Sequence, residues 1–224
     1  VEHMAGYTVL TTAINYASPF QLLVKRLIDI VVGIIGCVLT GIITLIIGPL
    51  IKKADPGPIF FVQERVGENG KTFKMYKFRS MYMDAEERKK ELMKQNNVKD
   101  GMMFKMDDDP RIIKGVGHFI RKTSLDEFPQ FFNVLKGDMS LVGTRPPTVN
   151  EWEKYDLRHR IRMSIKPGIT GMWQISGRNE ITDFEVDGRL DSEYIKNWHI
   201  GLDIKIILKT IKVIFVRKSK NEVM

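Results

Sequence analysis

Two acidic residues stand side by side, Asp126 and Glu127, inside the stretch from Arg121 to Pro147. Consecutive residues on a helix project about 100° apart, so these carboxylates do not face each other and are poorly placed to share one proton. Two different jobs fit better. One carboxylate attacks an electrophile, forming an acyl-phosphate where that electrophile is a phosphoryl group, while the other holds a metal or a proton. An anionic phosphoryl target also needs a divalent cation and an arginine to offset charge. Arg145, in Gly143-Thr144-Arg145-Pro146-Pro147, suits that task because the prolines restrict the backbone and fix the guanidinium in place. A plainer reading competes. Ser124 and Glu127 have capping-box spacing, with Ser124 as N-cap and Glu127 at N3, which leaves Asp126 only a favourable place in the helix dipole. Spacing alone leaves both readings open.

Other chemistry-bearing residues are less constrained. The triplet Asp107, Asp108 and Asp109 before Pro110 suits a cation or a turn. His118, His159 and His199 lack metal-ligand spacing with one another or with Cys37, so no zinc site is expected. Trp173-Gln174-Ile175-Ser176-Gly177-Arg178 follows Gly168 and Gly171, glycines that allow close backbone approach to a ligand or simply make turns. Arg178 is placed to meet a nucleotide phosphate.

These residues must be positioned by a chain of 224 residues with 43% hydrophobic content, enough for one sizeable core. The net charge of +8 suits nucleic acid, acidic lipid or a phosphorylated substrate without choosing among them. A single cysteine excludes an internal disulfide. Residues 1–19 read as the tail of an upstream region, with a short strand near Tyr7–Leu10. Leu27 to Ile51 is apolar apart from Asp29 and small residues, longer than the roughly 20 residues needed to cross a bilayer. Lys25 and Arg26 precede it, and Lys52 and Lys53 follow. Cationic ends prefer the cytoplasmic side, which favours a re-entrant helical hairpin bent near Thr40-Gly41 over a single crossing or a buried core helix. Beyond the turn Asp55-Pro56-Gly57-Pro58, a strand at Ile59–Val62, a turn at Asn69-Gly70 and a basic, partly strand-like run from Lys71 to Met81 are expected, then a charged helix over Asp84–Asn97. Residues 202–217 place Lys205, Lys209 and Lys212 at helical spacing beside apolar residues. That pattern suits a helix lying in the membrane interface or one packing on the domain surface.

The motifs Lys25-Arg26-x-x-Asp29, Pro56-Gly57-Pro58-x-Phe60, Gln63-x-Arg65-x-Gly67, Lys77-Phe78-Arg79-Ser80-Met81 and Ser124-Leu125-Asp126-Glu127-x-Pro129-Gln130 occur in order. Asn133-Val134-Leu135-x-Gly137-Asp138-Met139-Ser140-Leu141-Val142-Gly143, Arg145-Pro146 and Lys166-Pro167-Gly168-Ile169-Thr170-Gly171 continue the series. The set resembles the bacterial sugar transferase family, the monotopic polyprenyl-phosphate phosphoglycosyl transferases, from about residue 20 to the C-terminus. The resemblance implies transfer of a sugar-1-phosphate from a UDP-sugar to a polyprenyl phosphate such as undecaprenyl phosphate, releasing UMP, as the first membrane step of capsule or exopolysaccharide synthesis. It implies Asp126 as nucleophile of a phosphosugar-aspartyl intermediate, Glu127 as a ligand of Mg2+, and Arg145 as a phosphate contact. Arg65, Lys77, Arg79 and Arg178 join Arg145 as phosphate- or substrate-binding candidates. Asp191 and Asp203 become further metal candidates, each with a helix N-cap as its alternative.

The fold expected is α/β and mainly helical. It combines a re-entrant membrane hairpin over 20–53 with a cytoplasmic catalytic domain over 54–224 that carries a small sheet and amphipathic interfacial helices. The site expected is the cytoplasmic side of a bacterial inner membrane, with no nucleic-acid partner and homo-oligomerisation allowed. The variant Thr144-Arg145-Pro146-Pro147-Thr148 and the Trp173–Arg178 loop look like relatives that start from a hexose, with glucose expected ahead of galactose. Two departures stand out. Thr144 replaces a proline common in relatives, which predicts a looser loop, and Gly41-Ile42 stand near the usual Ser-Pro break, which moves the kink to glycine.

Overall fold

A computed structural model describes residues 2–4, 7–9, 18–92, 109–176 and 184–220. Two short antiparallel strands, β1 (Glu2–Met4) and β2 (Tyr7–Val9), precede the helix α1 (Pro19–Ala54). Helix α1 begins on a proline at its first position, where the missing N–H is harmless, and ends where Asp55 precedes Pro56. Its 36 residues make a rod of roughly 54 Å at 1.5 Å per residue.

The expected bend at Thr40-Gly41 is absent: α1 is one continuous helix, not a hairpin. Gly41 keeps its helical bonds, and the Thr40 hydroxyl donates to the Gly36 carbonyl one turn back. The other glycines serve contact. A Cβ on Gly36 would lie 2.2 Å from Cγ of Phe131, one on Gly33 would meet Leu135 at 2.8 Å, and one on Gly48 would meet Ile59 at 2.9 Å. Only Gly41, of these four, faces open space. Asp29, which interrupts the apolar run, is buried and accepts from Ser140 Oγ at 3.1 Å and from the Leu141 N–H at 2.9 Å. The opposite side is apolar and exposed, including Phe20, Leu23, Val31, Ile35, Val38 and Leu45. Only 17% of the helix's most apolar window is buried, so it is no core helix; it is long and apolar enough to cross a membrane.

An antiparallel hairpin follows, β3 (Phe60–Val66) and β4 (Thr72–Phe78), paired from Phe60↔Phe78 to Val66↔Thr72. Its turn contains Asn69 and Gly70 at positive φ, as the Asn-Gly pair predicts. The outer edge of β4 is covered by a side chain: Asn133 accepts from the Tyr76 N–H and donates to the Lys74 carbonyl, taking the place of a third strand. The charged helix α2 covers Ala85–Leu92. Helices α3 (Val116–Lys122) and α4 (Gln130–Lys136) flank the short 3-10 turn Leu125–Glu127. Strand β5 (Ser140–Val142) then pairs in parallel with β6 (Gly168–Thr170). Between these strands lie the one-turn helices α5 (Val149–Trp152) and α6 (Leu157–Arg160) and the 3-10 turn Ile161–Ser164. Helices α7 (Met172–Ile175), α8 (Phe184–Lys196) and α9 (Ile200–Lys220) complete the described chain. Among the described residues the architecture is mainly helical with three two-stranded sheets and one long apolar helix; the helical content and small sheets match expectation and the hairpin anchor does not.

Two apolar clusters meet at β4. Met75 belongs to one, with Val134, Met139, Val142, Tyr194 and Ile206. Phe78 belongs to the other, with Ile47 and Ile51 of α1 and Ile113 and Ile120 around α3. The domain therefore touches α1 along its length. Lys25 pairs with Asp203 of α9, Asp29 with β5, Gly33 and Gly36 with α4, and Ile47 and Ile51 with the second cluster. On α9, Ile204, Leu208 and Ile211 form an exposed apolar stripe one residue away from the exposed Lys205, Lys209 and Lys212.

Candidate active site

Asp126 and Glu127 lie on the 3-10 turn Leu125–Glu127, held by the flanking Leu125 and Phe128, which pack on the second cluster. At three residues per turn the two carboxylates diverge by about 120°, so they do not face each other here either. The capping-box reading of Ser124 and Glu127 does not hold. Ser124 is left-handed, φ 56 and ψ 20, and its side chain makes no cap bond. A non-glycine residue held there is strained, a condition that clusters at functional sites. The same pattern caps a helix elsewhere: Thr148 and Glu151 form a true capping box at the start of α5.

The turn Leu125–Glu127 rests on α1. Thr40 Oγ1, already bonded to Gly36, lies 3.1 Å from the Phe128 carbonyl and shares its proton with it. From β4, Lys77 brings its ammonium to 3.7 Å from Glu127 Oε1. A second group of charges lies around the loop after β5. Arg145 stands between the Trp173 ring, 5.7 Å from its centroid, and Glu151, 3.6 Å away. Arg65 donates to the Pro146 carbonyl at 3.0 Å and to Gln63, and the Val66 N–H donates to the Pro147 carbonyl. Burial, and then the neighbouring charge of Arg145, lowers the Arg65 guanidinium to about 10. Two crowded guanidiniums around one carboxylate make a site that favours an anion. Arg65 pairs with Phe73, four residues before Lys77 on β4, so both cations share one face of the hairpin about 13 Å apart at 3.3 Å per residue.

The loop is not loosened by Thr144. Its hydroxyl donates to the Arg162 carbonyl, it is fully buried, and its carbonyl accepts from the Gly168 N–H. Gly143, Gly168 and Gly171 are required by close packing: a Cβ on any of them would lie 2.1–2.3 Å from the facing backbone. They let the strands β5 and β6 and their extensions approach each other.

Three candidates have structural partners of their own. Arg79 is buried and donates to the carboxylate and carbonyl of Asp55, tying the end of α1 to β4 rather than meeting phosphate. Asp191, expected as a metal candidate, is fully buried against Arg162, with Nε at 2.7 Å and Nη2 at 2.6 Å from its Oδ2. Asp203 likewise has partners within the fold, accepting from Lys25, Tyr194 Oη and Trp198 Nε1. Burial and then the Asp203 charge push the Tyr194 hydroxyl well above its usual value. Arg178, Asp107 and Asp108 lie outside the described residues. Asp109 is bound by Arg111: burial pushes its carboxyl up, but bonds from the Arg111 side chain and N–H outweigh this and hold it below the usual range. Among the described residues no three His, Cys, Asp or Glu side chains converge. Sequence reasoning missed Glu151 and Trp173. The spacing of Thr148 and Glu151 was a readable signal, whereas the Trp173 contact depends on tertiary placement.

Residues 20–217 match the profile of the bacterial sugar transferase family. The chain is 55% identical over 216 residues to a galactosyl transferase, CpsE, of Streptococcus agalactiae serotype III, covering 96% of this chain and 47% of that protein. It is 44% identical over 209 residues to an undecaprenyl-phosphate galactose phosphotransferase of Salmonella typhimurium, covering 91% and 43%. A UDP-glucose:undecaprenyl-phosphate glucose-1-phosphate transferase of Escherichia coli K12 is 38% identical over 226 residues, covering 98% and 46%. The chain spans about half the length of these three relatives. With the ordered motifs and the profile coinciding over nearly all of its length, the chain belongs to the bacterial sugar transferase family.

Proposed function

We propose that this chain transfers a hexose-1-phosphate from a UDP-sugar to undecaprenyl phosphate. The observation that carries the reading is a carboxylate pair fixed on a strained turn that rests directly on a membrane-type helix, with Lys77 at the pair and an arginine cluster on the same hairpin face. In the first half-reaction an Asp126 carboxylate oxygen attacks the phosphorus bearing the sugar. The anhydride P–O bond breaks, and its electron pair leaves with UMP. In the second, an oxygen of the lipid phosphate attacks that same phosphorus, the acyl-phosphate bond breaks, and Asp126 returns as carboxylate with a lipid diphosphate sugar as product. Arg145 binds phosphate, and Lys77 offsets charge beside Glu127.

The donor set suits Mg2+, which keeps several waters and takes one or two carboxylates together with substrate phosphates. Glu127 would hold it, and the ion would offset the charge of the diphosphate. Sequence alone favours glucose, but two of the three relatives above, both more similar than the third, are named for galactose. Galactose is therefore the sugar proposed.

The proposed membrane arrangement is supported by the contacts of α1. A crossing would set its two ends on opposite sides, yet the domain holds Lys25 near one end and Ile51 near the other. The exposed apolar face, continued by Ile204, Leu208 and Ile211 of α9, would lie in one leaflet, the inner one, with Lys205, Lys209 and Lys212 at the headgroups. The test is single-turnover. Mixed near one equivalent with UDP-galactose, without lipid acceptor, the enzyme releases UMP and Asp126→Asn does not, although it remains folded. Full turnover by Asp126→Asn would sink the nucleophile assignment, and a panel of UDP-sugars decides the hexose.

A further inference from the structure

Glu151 faces two guanidinium groups at once. Its Oε1 lies 3.6 Å from Arg145 Nη2, and its Oε2 lies 3.8 Å from Arg65 Nη1. Both separations exceed hydrogen-bond length. The short bond of this carboxylate goes elsewhere: Oε2 accepts from the Thr148 N–H at 2.8 Å, while the Glu151 N–H donates to Thr148 Oγ1 at 3.2 Å. One side chain thus divides its capacities. Its hydrogen bond fixes the start of α5, and its charge compensates the two arginines. Resting on the transferase reading, we propose that Glu151 is a positioning residue that stands in for substrate phosphate between Arg65 and Arg145. It thereby lowers the affinity of the site for the nucleotide and speeds release of UMP.

The electrostatics run in one direction. Arg145 already helps to depress Arg65, so the two cations repel, and the carboxylate between them keeps them together before any phosphate arrives. An incoming diphosphate gains from both guanidiniums but is repelled by Glu151. The Trp173 ring on the far side of Arg145 limits how far that side chain retreats. Because the Glu151 contacts to the arginines are long, a phosphate can displace the carboxylate from them while the cap bond to Thr148 holds.

Glu151→Gln separates the two capacities, since an amide oxygen still accepts from the Thr148 N–H but carries no charge. The expected result is a UMP inhibition constant lowered about tenfold, the low end for a charge removed about 4 Å from two partly exposed cations. KM for UDP-galactose should fall in parallel, kcat should not rise, and the difference from wild type should shrink in 1 M salt, where screening acts over about 3 Å. Thr148→Ala is the counterpart. It weakens the cap and keeps the charge, so it should lower thermal stability and leave the UMP constant unchanged. A UMP constant that is unchanged or weaker in Glu151→Gln, or equally tightened in Thr148→Ala, overturns the inference and leaves Glu151 a capping residue. Wild-type enzyme that releases no UMP from any UDP-sugar refutes the transferase reading instead.

Discussion

Gly36 and Gly41 lie on the same helix, five residues apart, and a methyl group added to each should act in opposite directions. At Gly41 a Cβ meets nothing within 4 Å, so Gly41→Ala should gain the helix-propensity difference of about 1 kcal/mol. At Gly36 the added Cβ would lie 2.2 Å from Cγ of Phe131 and 2.4 and 2.5 Å from its two Cδ atoms. Rotating the ring about its own axis cannot clear this contact, because Cγ lies on that axis. The ring must change χ1, or α4 must move away from α1. Overpacking of this kind costs about 1–3 kcal/mol, and more than 1 Å of overlap at an atom next to the backbone belongs in the upper half of that range. Subtracting the propensity gain leaves Gly36→Ala destabilised by about 1–2 kcal/mol. For a chain of this size each kcal/mol moves Tm by about 2–4 °C, so Gly41→Ala should rise by about 2–4 °C and Gly36→Ala should fall by about 2–8 °C. Thermal unfolding of both variants in one lipid or detergent environment measures this. UMP release should also slow in Gly36→Ala, because α4 follows directly from the catalytic turn. Equal stabilisation of the two variants would show that α1 does not pack on α4 through Gly36.

The other expectations concern strain and burial. Ser124→Gly should stabilise the fold by about 1 kcal/mol through relief of the left-handed conformation, and Ser124→Val should destabilise it, both read by thermal unfolding. Asp191→Asn should cost about 3–5 kcal/mol by leaving Arg162 charged and buried without its counter-ion. Its loss of activity should track the loss of folded protein and should not respond to added magnesium, whereas magnesium rescue would restore Asp191 as a ligand.

The parts that were legible in the sequence are those whose signals are local. The Asn-Gly turn with flanking apolar runs marked the β3–β4 hairpin, and the length of the apolar run marked α1. The carboxylate pair was found by type and adjacency, and its divergence by helical geometry. The parts that failed depend on distant partners. Arg79, Asp191 and Asp203 are charged residues within or near motifs, and residue type alone does not separate a ligand-binding charge from a buried structural one. The separation is made by Asp55, Arg162 and Lys25, which lie 24, 29 and 178 residues away. Gly41 read as the place to bend, yet α1 continues through it, and Gly33, Gly36 and Gly48 are where Leu135, Phe131 and Ile59 come close. The two candidate capping boxes are identical in pattern, and only the backbone of Ser124 tells them apart.

The ion pair between Lys25 and Asp203 also sets a schedule for biosynthesis. The two residues are 178 positions apart, and a ribosome adding about 5–20 residues per second needs about 9–36 s to travel between them. For the first part of that interval α1 has been made without the elements that cover its inner face, since Ser140 and Leu141 follow Asp29 by 111 and 112 residues. Asp29 waits for Ser140 and Leu141, and Gly36 waits for Phe131. A nascent helix this apolar on its outer side must be received by the bilayer or by a holding factor before its domain exists. A carboxylate and a row of glycines then remain exposed to lipid until α4 and β5 arrive. Helix α1 is made first and its domain is assembled against it afterwards, with α9 closing the pair.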